Sequence, residues 1–248
     1  MLASLRIRCG VRCALSSCAI IISLGLTACA VAPSENIVNT GSPFISFVQL
    51  DGFNFPSVTA VQYTIAPKPG SVSKPVHVDY TLSALAARGY LSGASLRLPV
   101  FGLYAGYVNQ VSIELQTESG IPISLQATIP TANYVDPSGI YSNPTIVTPR
   151  TADSRLGFDF VFIKSGLGSP VIIDTDAEIR WAVPGIASSF SSTFNGDEFV
   201  IGDGGKPTVY QLRLDGNIAQ GPLPPGNIRI SITTLIRASR AFWPRSMP

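Results

Sequence analysis

The sequence predicts an all-β fold, and three observations carry that prediction. The 248 residues hold 22 Gly and 20 Pro, which punctuate the chain at short intervals. Between them lie runs rich in Val, Ile, Thr, Tyr and Phe that alternate apolar and polar residues, the signature of half-buried strands. Charged residues make up 13%, about half the usual share, so neither a disordered chain nor a long charged helical array fits. Only Leu82 to Ala87 has a weak helical pattern.

The N-terminus reads as an address. Arg6, Arg8 and Arg12 precede an uncharged apolar run from Ala14 to Leu26. As a helix this run rises only about 20 Å, too short to span a bilayer comfortably. Residues 1–29 therefore have signal-peptide architecture. Leu26-Thr27-Ala28-Cys29 resembles the lipobox of bacterial lipoproteins. That resemblance implies cleavage between Ala28 and Cys29, and lipid on the Cys29 sulfur and on its new amine. Ala30 follows, where an Asp would signal inner-membrane retention, so the expected place is periplasmic, lipid-anchored, at the outer membrane. Cys9, Cys13 and Cys18 leave with the signal, so no disulfide is expected in the body.

Seven of the 17 Lys and Arg lie in residues 1–29 and 227–248, which contain no acid. Residues 30–226 thus set ten basic groups against 15 acidic ones, a net charge of −5. Such a body has no electrostatic footprint for nucleic acid.

Residues 30–42 read as a short polar tether. Residues 43–130 read as a β-sandwich, with strands at Phe44 to Leu50, Ala60 to Ile65, Val76 to Leu82, Val108 to Thr117 and Ile121 to Ile129. Val111, Ile113 and Leu115 share one face, and Ile121, Ile123 and Leu125 return beside them across the Glu118-Ser119-Gly120 turn. Residues 131–157 form a Pro- and Gly-bearing connector. Residues 158–226 carry strand patterns in successive hairpins, with turns at Asp174-Thr175-Asp176-Ala177, Asn195-Gly196-Asp197 and Gly204-Gly205-Lys206-Pro207. About fifty residues of this kind have the size of one propeller blade, and nothing downstream repeats them. The expected architecture is a β-sandwich followed by an incomplete β-propeller.

Three stretches resemble the bacterial arylsulfate sulfotransferases: Pro99 to Val111, Val171-Ile172-Ile173-Asp174-Thr175-Asp176-Ala177-Glu178-Ile179-Arg180-Trp181, and Phe199 to Asn217. Ala177 stands where the hairpin usually has Gly. The resemblance covers roughly residues 40–226 and implies an N-terminal sandwich domain and the opening blade of a six-bladed propeller. The family moves a sulfuryl group from a phenol sulfate to a phenol through a sulfated histidine, without a nucleotide donor. Its catalytic histidines and arginines lie beyond the first blade. The one histidine here, His77, sits in the sandwich between Val76 and Val78, on the opposite strand face, and reads as a surface residue. The expectation is a truncated relative with no catalytic residues of its own. Phenolic sulfates are substrates only of the full-length family, and homo-oligomer contacts run through the N-terminal domain. The alternative is a non-catalytic outer-membrane lipoprotein whose sandwich binds a glycan or a protein.

Other candidates resolve into structure. Asp174, Asp176 and Glu178 alternate, but a calcium loop needs Gly at its sixth place and Glu at its twelfth, where Ile179 and Gly185 stand. They read as turn and strand-edge carboxylates. Gly202-Asp203-Gly204-Gly205 is a hairpin turn, since no helix pattern follows. Tyr104 and Tyr107 read as core and rim packing, and Asp153, Ser154 and His77 have no triad spacing. No metal or cofactor site emerges. Residues 227–248 have four Arg, no acid and no blade pattern. Their codons can be chosen so that another frame encodes a family-like string with paired histidines, so a frameshift is expected.

Overall fold

Alternation of apolar and polar residues, set by turn chemistry, builds the first half of the molecule. The computed structural model describes residues 34–222, apart from 143, 152, 155, 157, 184, 187–191, 196–197 and 203–207. The export segment with Ala28 and Cys29, most of the expected turns at 195–197 and 204–207, and the tail 227–248 lie outside the described residues. No helix of the described residues is long and apolar enough to cross a membrane.

The chain runs β1 (Ser34–Asn39), β2 (Ile45–Asp51), a 3-10 turn (Phe55–Ser57), β3 (Val58–Ile65), β4 (Val76–Thr81), α1 (Leu82–Ala87), β5 (Leu91–Ser92), β6 (Ser95–Phe101), β7 (Val108–Thr117) and β8 (Ile123–Pro130). Two antiparallel four-stranded sheets result, in the orders β1-β2-β6-β5 and β4-β3-β7-β8. Val48, Leu50, Leu96, Leu98 and Val100 face Val61, Ile65, Val111, Ile113 and Leu115 across one buried core. This is the expected sandwich. Ile113 pairs with Leu125 and Leu115 with Ile123, so the β7–β8 hairpin has the expected neighbours.

Residues 34–39, expected as a tether, are instead the edge strand β1, paired with β2 along its whole length. Only Ile37 reaches the core. A strand held by its backbone ladder leaves no apolar alternation to read. β6 was hidden for another reason. Pro99 cannot donate to a ladder, but β5 covers only Ser95 and Leu96, so β6 has an open edge where Pro99 sits.

The weak helix at Leu82 to Ala87 does form. Thr81 caps it by accepting from the Ala84 N–H at 3.2 Å. Its far end closes with Gly89 N–H to Ala86 C=O and Tyr90 N–H to Leu85 C=O, both 2.9 Å. Gly89 takes the left-handed conformation this closure needs, with φ of 76°.

The second half adds β9 (Phe160–Ser165), β10 (Gly168–Asp174), β11 (Ile179–Ala182), β12 (Ser192–Asn195), β13 (Glu198–Gly202), β14 (Thr208–Arg213) and β15 (Ile218–Pro222). They divide between two antiparallel sheets, β11-β10-β9 and the meander β12-β13-β14-β15. A second core joins them. Trp181 packs on Phe199 at 4.9 Å and donates its indole N–H to Leu214 C=O at 3.0 Å. Phe162 stacks on Phe199 at 4.4 Å. Phe44 and Ile45, from the start of the sandwich, are buried in this second core.

Ala177, in the β10–β11 turn, has φ of 63°. A left-handed L-residue costs about 1–2 kcal/mol, and a glycine there removes most of it. Ala177→Gly is expected to raise stability by about 1 kcal/mol, read as a higher urea midpoint at unchanged slope.

Candidate functional site

The β10–β11 hairpin is where the second half grips the first, and it gathers most of the buried charge among the described residues. Asp174 begins it. One carboxylate oxygen accepts from the Asp176 and Glu178 backbone N–H groups, each at 3.0 Å. The other accepts from Arg180 Nη1 at 3.0 Å. Both partners are almost fully buried.

Arg180 owes its direction to a register shift. Ile173 pairs with Ile179 and Ile172 with Trp181, so the ladder skips Arg180. An unpaired residue of this kind re-aims its side chain. Its guanidinium crosses to the sandwich, where Nε and Nη2 donate to the Gly102 carbonyl at 3.0 and 2.7 Å. It lies 3.5 Å over the Tyr104 ring. Gly102 sits at φ of 88°, and an added Cβ would come within 3.1 Å of Val76. Only glycine presents its carbonyl here without strain.

Around this pair lies a partly exposed rim. Lys68, from the β3–β4 loop, meets Glu178 at 2.8 Å and lies 4.7 Å above the Tyr104 ring. Ser71 donates to Asp176, and Ser73 meets Thr175 at 3.1 Å. A second contact lies away from the hairpin. Tyr90, placed by the α1 closure, donates to Asp215 at 2.9 Å, and Gly216 packs on Ile45. Burial, with the Asp215 charge beside it, pushes the Tyr90 phenol up to about 12.

The expected residues fall as follows. Asp174 is a turn carboxylate, as read, and Asp176 and Glu178 spend their charges on sandwich partners. Tyr104 is buried packing, and Tyr107 meets it edge-on at 5.7 Å. His77 lies on the exposed face of β4, with Nδ1 2.9 Å from Thr64 Oγ1 and Nε2 3.3 Å from Asp79. Ser154 bonds Thr151 instead of any histidine. Among the described residues, no group of three or more His, Cys, Asp and Glu could hold a metal ion. Sequence reasoning missed Arg180, Lys68 and Gly102 as partners. A buried-looking Arg beside Trp181 in a charge-poor chain was the one available signal.

Lys68, Gly102 and Tyr104 all lie within residues 50–132, and this stretch matches the family model of the arylsulfotransferase Ig-like domain. Residues 50–132 are an arylsulfotransferase Ig-like domain. The match covers about a third of the sequence and ends before the hairpin that grips it. None of the curated proteins compared matches the chain. The Ig-like domain therefore supplies a carbonyl, a ring and a lysine, and the hairpin supplies the buried ion pair.

Removing one partner of a buried pair strands the other, which costs about 3–5 kcal/mol. Arg180→Ala is expected to lose that much in chemical denaturation. Lys68→Ala, which breaks a half-exposed pair, should lose no more than about 1 kcal/mol. Tyr90 supplies a pH test. Its phenol ionises higher in the folded chain than in the unfolded one, near 10. Its stabilisation is complete below pH ~10 and is lost as pH rises through about 12. Tyr90→Phe should flatten that alkaline loss, measured as the unfolding midpoint across the range.

Proposed function

We propose that this chain is the N-terminal platform of an arylsulfate sulfotransferase-like lipoprotein and does not itself transfer sulfuryl groups. The supporting observation is His77. Sulfuryl transfer through a sulfated histidine needs a neutral imidazole nitrogen as nucleophile, with donors on the sulfate oxygens. His77 is the one histidine of the sequence, and it stands exposed on a sandwich strand, hydrogen-bonded to Thr64. The arginine best placed to stabilise an anion, Arg180, is buried and spends its donors on Asp174 and Gly102.

In this reading the meander β12-β13-β14-β15 is a propeller blade, since four antiparallel strands in sequence order are the unit of that fold. The β10–β11 hairpin seats it, with Arg180 held by the Ig-like domain and Trp181 packed on the meander. Cys29 carries the lipid anchor after cleavage behind Ala28, which places the chain on the periplasmic side of the outer membrane. The family's phenol sulfates and phenols are substrates of a complete propeller.

The test supplies the purified chain with para-nitrophenyl sulfate and phenol. Nitrophenolate release at the uncatalysed rate is expected. Turnover that disappears in His77→Ala would make His77 the nucleophile and overturn the reading.

A further inference from the structure

We infer that the Ser34 end of the sandwich rests against a lipid bilayer through an apolar tip made by Phe53, Ile121 and Ile123. The inference rests on the lipoprotein reading of Cys29 and deepens it.

The strand register brings these residues together. Ser34 pairs with Asp51 at the last position of β2, next to Gly52 and Phe53. At the same end β7 finishes and turns through Glu118-Ser119-Gly120 into β8, and the Glu118 N–H donates to Ser57 C=O. β1 and β8 are the edge strands of their two sheets. Between them opens a groove of about 440 Å³, lined by Ser34, Phe53, Ile123 and Leu125. Ile123 is 40% exposed, and Ile121, two residues before it in the chain, is 74% exposed. The opposite end of the strands carries Gly102, Lys68 and Tyr104, which are covered by the β10–β11 hairpin.

Chain length supplies the occupant. Four residues separate Cys29 from Ser34, and the five backbone steps between them reach at most about 18 Å. An acylated Cys29 therefore holds the groove end, rather than the hairpin end, beside the membrane. Acyl chains fix the protein to the surface, and exposed branched side chains within that reach gain by entering the interface. Glu35 and Glu118 lie at the same end, so the contact is apolar and not an attraction to anionic lipid.

The experiment uses the lipidated full-length chain in phosphatidylcholine vesicles, with a nitroxide on Ile121→Cys or on Val108→Cys. Val108 is 52% exposed at the far end of β7 and serves as the aqueous reference. Acylated Cys29 leaves no competing thiol, since Cys9, Cys13 and Cys18 depart with the signal. At position 121 the label should be several-fold less accessible to a water-soluble nickel chelate and more accessible to oxygen than at position 108. Equal aqueous exposure at both positions, with Cys29 acylated, overturns the tip contact and leaves the lipoprotein reading standing. Spin–spin broadening at position 121 assigns the tip to a second copy of the chain and also overturns it. A parent chain that takes up label at Cys29 overturns both.

Discussion

The guanidinium of Arg180 holds the two halves of this molecule in one arrangement. Burying a charge is costly unless it is paired and fully hydrogen-bonded. Here the Asp174 carboxylate neutralises it, the Gly102 carbonyl takes two of its donors, and the Tyr104 ring covers its face. A lysine could not replace it, because a point charge has neither the fork that meets one carbonyl twice nor the plane that stacks on a ring. The geometry is demanding on both sides. The sandwich must expose a carbonyl at a glycine, and the hairpin must skip a residue in its ladder.

Apolar packing extends the same interface. Phe44 precedes strand β2 of the sandwich and Ile45 opens it, yet both belong to the core around Trp181 and Phe199. Tyr90 and Asp215 add a buried hydrogen bond along the α1 side. Apolar burial supplies the favourable energy of such a seam, while the ion pair decides which alignment is tolerated. The Ig-like domain and the sheets after it therefore share side chains, and the boundary at residues 131–157 is a boundary of chain path more than of packing.

How far the sequence could be read follows from the kind of force at each place. β3, β4 and β7 were legible because each hides alternate residues, as Val111, Ile113 and Leu115 show. β1 was not, since backbone pairing holds it and its side chains stay largely exposed. His77 was correctly placed on a surface face by its two valine neighbours. Asp174 was read as a turn residue, which it is. Its partner Arg180 was only six residues away, but Lys68 lies 110 residues from Glu178. Contacts at that separation leave no periodic trace, so the clamp became visible only with both surfaces in place.

One consequence concerns the order in which the polypeptide emerges. Everything the hairpin takes from the sandwich, from Phe44 and Lys68 to Gly102 and Tyr104, precedes it in the chain. A sandwich made first during synthesis is already complete when Asp174 arrives. The template thus waits for the segment it shapes, and the late sheets never have to find their alignment alone.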